Sequence, residues 1–238
     1  MAIMIYGKNA VRECVRDDRV TALKVAPKQS KDEIVSEAKA KHIPVEIVNH
    51  DDLTRIAKNP SHQGFVAICK EFQTFSLEEI LSSIQGKKEP LLLMLDGIED
   101  PHNLGAILRS ADAFGVDGVI MKKRGEVPLN ATVAKVSTGA ISYVKVCTVT
   151  NLNQAIKKLQ DNGFWVVCSD GSGKMDYDEV DYHCPICLIV GSEGFGTSRL
   201  VVEHSDFVVK IPMVGHVNSL NASVATGILL AGIALKRK

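Results

Sequence analysis

The sequence predicts an α/β protein in two parts, a small α/β domain followed by a larger one on a mostly parallel sheet of about six strands. Three observations predict it. Short aliphatic runs alternate with helix-length amphipathic stretches along the chain. Residues 91–95 read LLLML, an unbroken apolar run as in a strand buried on both faces of a parallel sheet. Two late runs, 186–190 and 207–211, lead into polar loops rich in Gly, Ser and Asn, which reads as two adjacent strand ends at a ligand site.

Taken in order, residues 1–72 show helix patterns at 8–16, 31–41 and from Asp51 or Asp52, with strand patterns at 22–25, 45–48 and 65–69. Residues 73–88 read as a linker carrying a short helix, because Ser76 and Glu79 have capping-box spacing. The second domain, 89–238, has strand patterns at 91–95, 119–121, 144–149, 164–168, 186–190 and 207–211. Helical stretches follow at 131–138 and 152–160, and from Leu220 a helix is apolar on most sides, the mark of one packed inside a domain or against a partner.

Composition narrows the function. The chain has 238 residues, 28 Lys/Arg against 28 Asp/Glu, so bulk charge neither demands nor excludes nucleic acid. No apolar run reaches the roughly 20 residues of a membrane span, and the first residues are too soon interrupted for a signal peptide. Six cysteines lie mostly in apolar runs, which fits reduced thiols and a cytoplasmic setting. Cys184 and Cys187 form a C-x-x-C with no second pair to complete a zinc site. Local basic clusters stand at 122–124 and 236–238.

The segment GSEGFG at 191–196 comes too late, and without the spacing, for a dinucleotide fingerprint. Its glycines let backbone approach a flat ligand, while Glu193 supplies an acceptor or a negative charge. Asn103 and Arg109 sit within two turns and on a related face of one predicted helix, one able to cap and the other to reach. No Ser/His/Asp spacing or G-x-S-x-G elbow supports hydrolysis.

Together, LDGIEDPHNLGAILRSADAFGV (95–116), LIVGSEGFGTS (188–198) and IPMVGHVNSLNASVATGILL (211–230) closely resemble the three ordered motifs of the SpoU, or SPOUT-class, RNA ribose methyltransferases. YGKNAV at 6–11 and HQG at 62–64 resemble the small substrate-binding domain of the subgroup acting on a guanosine 2′-hydroxyl in 23S ribosomal RNA. The resemblance implies an L30e-like first domain, an α/β catalytic domain ending in a trefoil knot, and S-adenosylmethionine as cofactor. It places Asn103, Arg109, Glu193, Ser219 and Asn221 in the catalytic centre and backbone at Gly191, Ile211 and Leu220 around the cofactor. Asn218 stands where many relatives have Glu.

The implied chemistry is direct displacement by the 2′-oxygen on the sulfonium methyl, needing alignment and loss of the hydroxyl proton but no metal. Because a guanidinium pKa lies above about 12, Arg109 suits pairing with the target phosphate better than proton removal by itself. Transfer RNA is the alternative substrate, and a non-catalytic RNA-binding protein on this scaffold would be expected to have lost Arg109, Glu193 or Asn221. The apolar last helix and the resemblance together predict a homodimer. A nucleotide-dependent oxidoreductase is disfavoured, since 96–105 lacks phosphate-cradling glycines.

Overall fold

A computed structural model describes residues 2–194, 196–217 and 219–238 and divides into two compact units. The first unit holds residues 1–73 and 129–143. Strand β1 (Ala2–Tyr6) leads to helix α1 (Lys8–Arg16), then β2 (Val20–Val25), α2 (Glu33–Ala40), β3 (Val45–Ile47), α3 (His50–Ala57) and β4 (Phe65–Lys70). The sheet runs β1-β4-β2-β3, antiparallel except for the β2–β3 pair. Side-chain caps start α2 and α3: Ile34 N donates to Asp32 and Asp52 N to Asn49.

Strand β1 was not foreseen. Its five residues run directly into the turn at Gly7, and half of the strand is exposed, so its pattern is weak; pairing with β4 makes it a strand.

The second unit opens at residue 74. Helix α4 (Leu77–Ser83) has both halves of the expected capping box, Glu79 N donating to Ser76 Oγ and Ser76 N to Glu79 Oε2. It is more than a spacer, because Leu77, Ile80 and Ile84 are buried in the unit's core. Next come β5 (Leu91–Asp96), α5 (Pro101–Ala113) and β6 (Gly118–Lys122). A proline at the first turn and Asp100, whose carboxylate accepts from His102 N, fix the start of α5.

Helix α6 (Ala131–Val136) follows, and here the structure differs from the sequence reading. Residues 129–143 group with the first unit, where Ala131 packs against Tyr6, Leu53 and Val66. Helical periodicity shows that a face is apolar without showing which core receives it.

The remaining elements are β7 (Val146–Val149), α7 (Leu152–Asp161), β8 (Trp165–Ser169), β9 (Met175–Asp176), β10 (Ile186–Gly191), α8 (Arg199–His204), β11 (Phe207–Lys210) and α9 (Ala222–Lys236). The sheet is seven-stranded and parallel throughout, in the order β7-β6-β5-β10-β8-β11-β9. The extra strand over the six expected is the two-residue β9. One face is covered by α4, α7 and α8, whose Ile80, Ile156 and Val201 share a cluster with Leu92, Met94, Cys168 and Ile189. Helices α5 and α9 pack together against the other.

One expectation is corrected. β10 and β11 are not neighbours; β8 lies between them, joined to both. Register along a parallel sheet is set by crossovers of many residues, so order in sequence does not give order in space.

The two basic clusters are partly structural. Lys122 pairs with Asp96, and the Arg237 guanidinium donates to the carbonyls of Tyr182, Glu89 and Cys184. Cys184 precedes β10 rather than lying in it, and all six cysteines are free thiols, five of them buried.

Candidate active site

Parallel strands end together, so the loops after β5, β8, β10 and β11 meet at one edge of the second unit. The loop after β10 is the tightest. A Cβ on Gly191 would lie 2.3 Å from the Gly196 carbonyl carbon and 2.4 Å from Thr197 N, both backbone atoms that cannot step aside. Ser192 N donates to Gly196 O at 3.1 Å and Gly196 N returns the bond to Ser192 O at 2.9 Å, closing the hairpin. That closure carries Glu193 out over the start of α9.

Glu193 Oε1 collects three donors: Asn103 Nδ2 at 2.9 Å, Ala222 N at 3.2 Å, and Asn221 Nδ2. Asn221 Nδ2 also donates to Asn103 Oδ1 at 2.9 Å. Asn221 caps α9 at the same time, its Oδ1 accepting from Ser223 N at 3.0 Å and Val224 N at 3.3 Å. Three residues remote in sequence are therefore held in one network, each fixed by a helix start or a hairpin.

A cavity of about 240 Å³ opens beside this network. The sequence-predicted Gly191, Ile211 and Leu220 line it, with Glu193 and Ser219 at its side. Val190, Met213 and Ala225 supply apolar wall, whereas Ser169, Asp170 and Lys210 are polar. Asp170 follows β8, a strand whose end carried no motif, and Lys210 closes β11 just before the residues the motif marks. The stretch SDGSG at 169–173 carries the same signal of small polar residues after an apolar run.

Asp170 is held charged: burial pushes its carboxyl up, but hydrogen bonds from Ser172 and from the Thr197 backbone together bring it below the ordinary range. A second cavity of about 220 Å³ shares Ser192, Glu193 and Ala222 with the first, and its far wall is Gly97, Glu99 and Asp100.

Arg109 is not brought into the network. It lies two turns along α5 from Asn103, exposed, lining neither cavity and making no ion pair or side-chain hydrogen bond among the described residues. Asn218 lies outside the described residues. No group of three or more His, Cys, Asp or Glu among the described residues is placed to hold a metal ion.

Beneath the second cavity lies a charged floor. Asp96 is almost fully buried at the end of β5, yet accepts from Lys122 Nζ and Ser198 N, each at 2.8 Å. Burial alone would push its carboxyl up; those two bonds outweigh it and hold it below the usual carboxylate range. Glu126 accepts from Gly97 N at 2.9 Å and Lys122 N at 3.1 Å, but burial dominates and raises its carboxyl to about 7.

With this geometry in place, the sequence comparisons have a structural meaning. Residues 90–231 match the SpoU rRNA Methylase family, and residues 4–75 match the RNA 2′-O ribose methyltransferase substrate-binding model. The chain belongs to the SpoU family of RNA methyltransferases.

Its relatives agree. A Staphylococcus aureus (strain COL) protein, whose name places it in the TrmH family of tRNA/rRNA methyltransferases, is 45% identical over 98% of this chain and 96% of its own length. The SpoU methyltransferase AviRb of Streptomyces viridochromogenes, in complex with AdoMet, has this fold: TM-score 0.84, 23% identity, 99% of this chain and 90% of that one. The A. aeolicus TrmH/SpoU tRNA modifying enzyme is 31% identical with TM-score 0.58 over 68% of this chain and 82% of its own.

The raised Glu126 gives a pH prediction. A carboxyl whose folded pKa exceeds its unfolded value contributes stability that is complete below about 4.5 and is lost as pH rises through about 7. Glu126→Gln should therefore lose less stability than the parent between pH 5 and pH 8. Groups titrating in both proteins cancel, and the lowered Asp96 acts below this window. Thermal melts of parent and variant moving in parallel over that range would contradict the assignment.

Proposed function

We propose that this chain transfers a methyl group from S-adenosylmethionine to a ribose 2′-hydroxyl of RNA, at a guanosine of 23S ribosomal RNA. The observation that carries this reading is the Asn103–Glu193–Asn221 network standing between two adjoining cavities, one of them lined by Gly191, Ile211 and Leu220. The larger cavity suits the cofactor, with apolar wall from Ile211, Met213 and Leu220 for a flat ring and Asp170 and Lys210 for polar ends. Bound there, S-adenosylmethionine supplies an electrophilic methyl on a positively charged sulfur.

The residues then have distinct tasks. Asn103, Asn221 and the Ala222 amide fix Glu193 by one oxygen, leaving Oε2 open to orient the incoming hydroxyl. Such a preset group needs no reorganisation as the reaction proceeds. Ser219, exposed at the cavity wall, adds a hydroxyl to the same rim. Arg109, free on the surface of α5, pairs with an RNA phosphate, and so aligns the strand and favours loss of the hydroxyl proton. The first unit grips RNA, in keeping with the substrate-binding model matched by residues 4–75.

Four further readings belong to this proposal. The passage from β8 to β10 and back past β8 to β11 supports the trefoil knot that the resemblance implies. Residues 1–72, joined by 129–143, act as the substrate-binding domain and the rest of 89–238 as the methyltransferase domain, and the protein works in the cytoplasm, where its RNA is. It works as a homodimer through α9, whose Val224 and Leu235 are exposed while Leu229, Leu230 and Ile233 are buried within the unit. Transfer RNA is the second substrate reading, favoured by the tRNA/rRNA wording of the staphylococcal relative's name.

Ribose-methylation mapping of rRNA and tRNA from a strain lacking this gene tests the reaction and separates the two RNA classes. A lost 2′-O-methylguanosine in 23S rRNA is the expected result; unchanged maps in both pools would refute the function. For Arg109→Lys, a folded protein with unchanged S-adenosylhomocysteine affinity and about a 100-fold slower single turnover is expected, because a lysine cannot reproduce the planar fork. Near-normal transfer would remove Arg109 from the chemistry. Sedimentation should give a dimer at micromolar concentration, and a monomer would count against the α9 interface.

A further inference from the structure

The second cavity presents almost nothing but acceptors. Asn103 is engaged at both ends of its amide, and Glu193 has one oxygen filled and one open. One oxygen of Asp100 is taken by the His102 amide. Glu99, exposed at the wall, makes no side-chain hydrogen bond among the described residues, so both its oxygens are free to accept from a ligand. Ser192, whose hydroxyl can donate as well as accept, and Gly97, Ile98, Gly194 and Ala222 make the rest of the wall.

A pocket of acceptors takes either a metal ion or a ligand rich in N–H and O–H groups. The first is not favoured, since no group of three or more acidic, His or Cys side chains among the described residues converges on a point. At about 220 Å³, the cavity falls below the roughly 300–1,000 Å³ of pockets for drug-sized ligands and suits a single flat ring system.

We propose that this cavity is the acceptor-nucleoside pocket and that Glu99 reads the base as guanine, its two oxygens accepting the N1–H and the exocyclic N2–H. The assignment rests on the methyl-transfer reading above and deepens it. Among the four standard bases only guanine carries two adjacent donors on its pairing edge, so only guanine satisfies both oxygens of one carboxylate. Adenine and cytosine offer an exocyclic amine beside a ring acceptor, which would face the second oxygen lone pair to lone pair. The ribose then lies toward Glu193 Oε2, at the boundary of the two cavities, where Ser192, Glu193 and Ala222 belong to both.

The test uses the full-length protein and transcripts spanning the nucleotide found by methylation mapping, carrying at that one position guanosine, inosine or adenosine. Inosine keeps N1–H and lacks only the N2 amine. The parent should methylate guanosine about 10-fold faster than inosine in single turnover, the discrimination expected of one lost base-edge bond. In Glu99→Gln the guanosine rate should fall and the two rates converge, while S-adenosylhomocysteine affinity by calorimetry and the thermal melt stay at parental values. A guanosine-to-inosine ratio unchanged by Glu99→Gln, or no preference in the parent, overturns the role of Glu99 and leaves methyl transfer standing. Mapping that places the methyl on the ribose of a nucleotide other than guanosine overturns this inference together with the guanosine assignment. No methylation of either RNA class by the parent removes the underlying reading itself.

Discussion

The site hangs on the close approach of Gly191 to the Gly196–Thr197 backbone. With a Cβ-to-carbonyl-carbon distance of 2.3 Å for any other residue, the hairpin after β10 can close only at glycine. Closure does two things at once. It brings Ser192 and Gly196 into a reciprocal pair of backbone hydrogen bonds, and it projects Glu193 to where Asn103, Asn221 and the Ala222 amide converge on one oxygen. Without the hairpin, Asn103 and Asn221 would still cap or flank their helices, but nothing would hold a carboxylate between them.

A second constraint lies below. Asp96 is buried at the end of the central β5, and a lone buried carboxylate would be strongly unfavourable. Its bonds to Lys122 from β6 and to the amide of Ser198 at the start of α8 offset that cost and tie three elements under the loops that carry the site. The same floor reaches Gly97 through Glu126, so the wall of the second cavity is held by a carboxylate that changes protonation near neutrality.

What the sequence disclosed follows from what is local. The apolar run at 91–95, the capping box at Ser76–Glu79, the Asn and Asp caps and the three motifs are short-range patterns, and the structure places Asn103, Glu193 and Asn221 together and Gly191, Ile211 and Leu220 around one cavity. What it hid is non-local. The placing of β8 between β10 and β11 depends on crossovers, so Asp170 entered the site unannounced. The packing of 129–143 with the first unit depends on which core Ala131 meets, and β1 depends on β4 for its partner.

Arg109 shows why a motif and a geometry carry different information. Motif spacing sets it beside Asn103 on one helix, yet six residues at about 100° each turn its side chain roughly 120° away from that of Asn103. A network of short, neutral amides around one carboxylate can be assembled inside a single unit, because each amide is fixed by a cap or a hairpin. A long guanidinium aimed at a phosphate needs no such prior order, since the phosphate arrives with the RNA and can organise it. The fixed residues and the free one thus divide along the line between what the fold supplies before binding and what the substrate completes on arrival, and a neutral overall charge is compatible with that division. On the proposed function, affinity for RNA would come from a few placed cations rather than from the field of the whole chain.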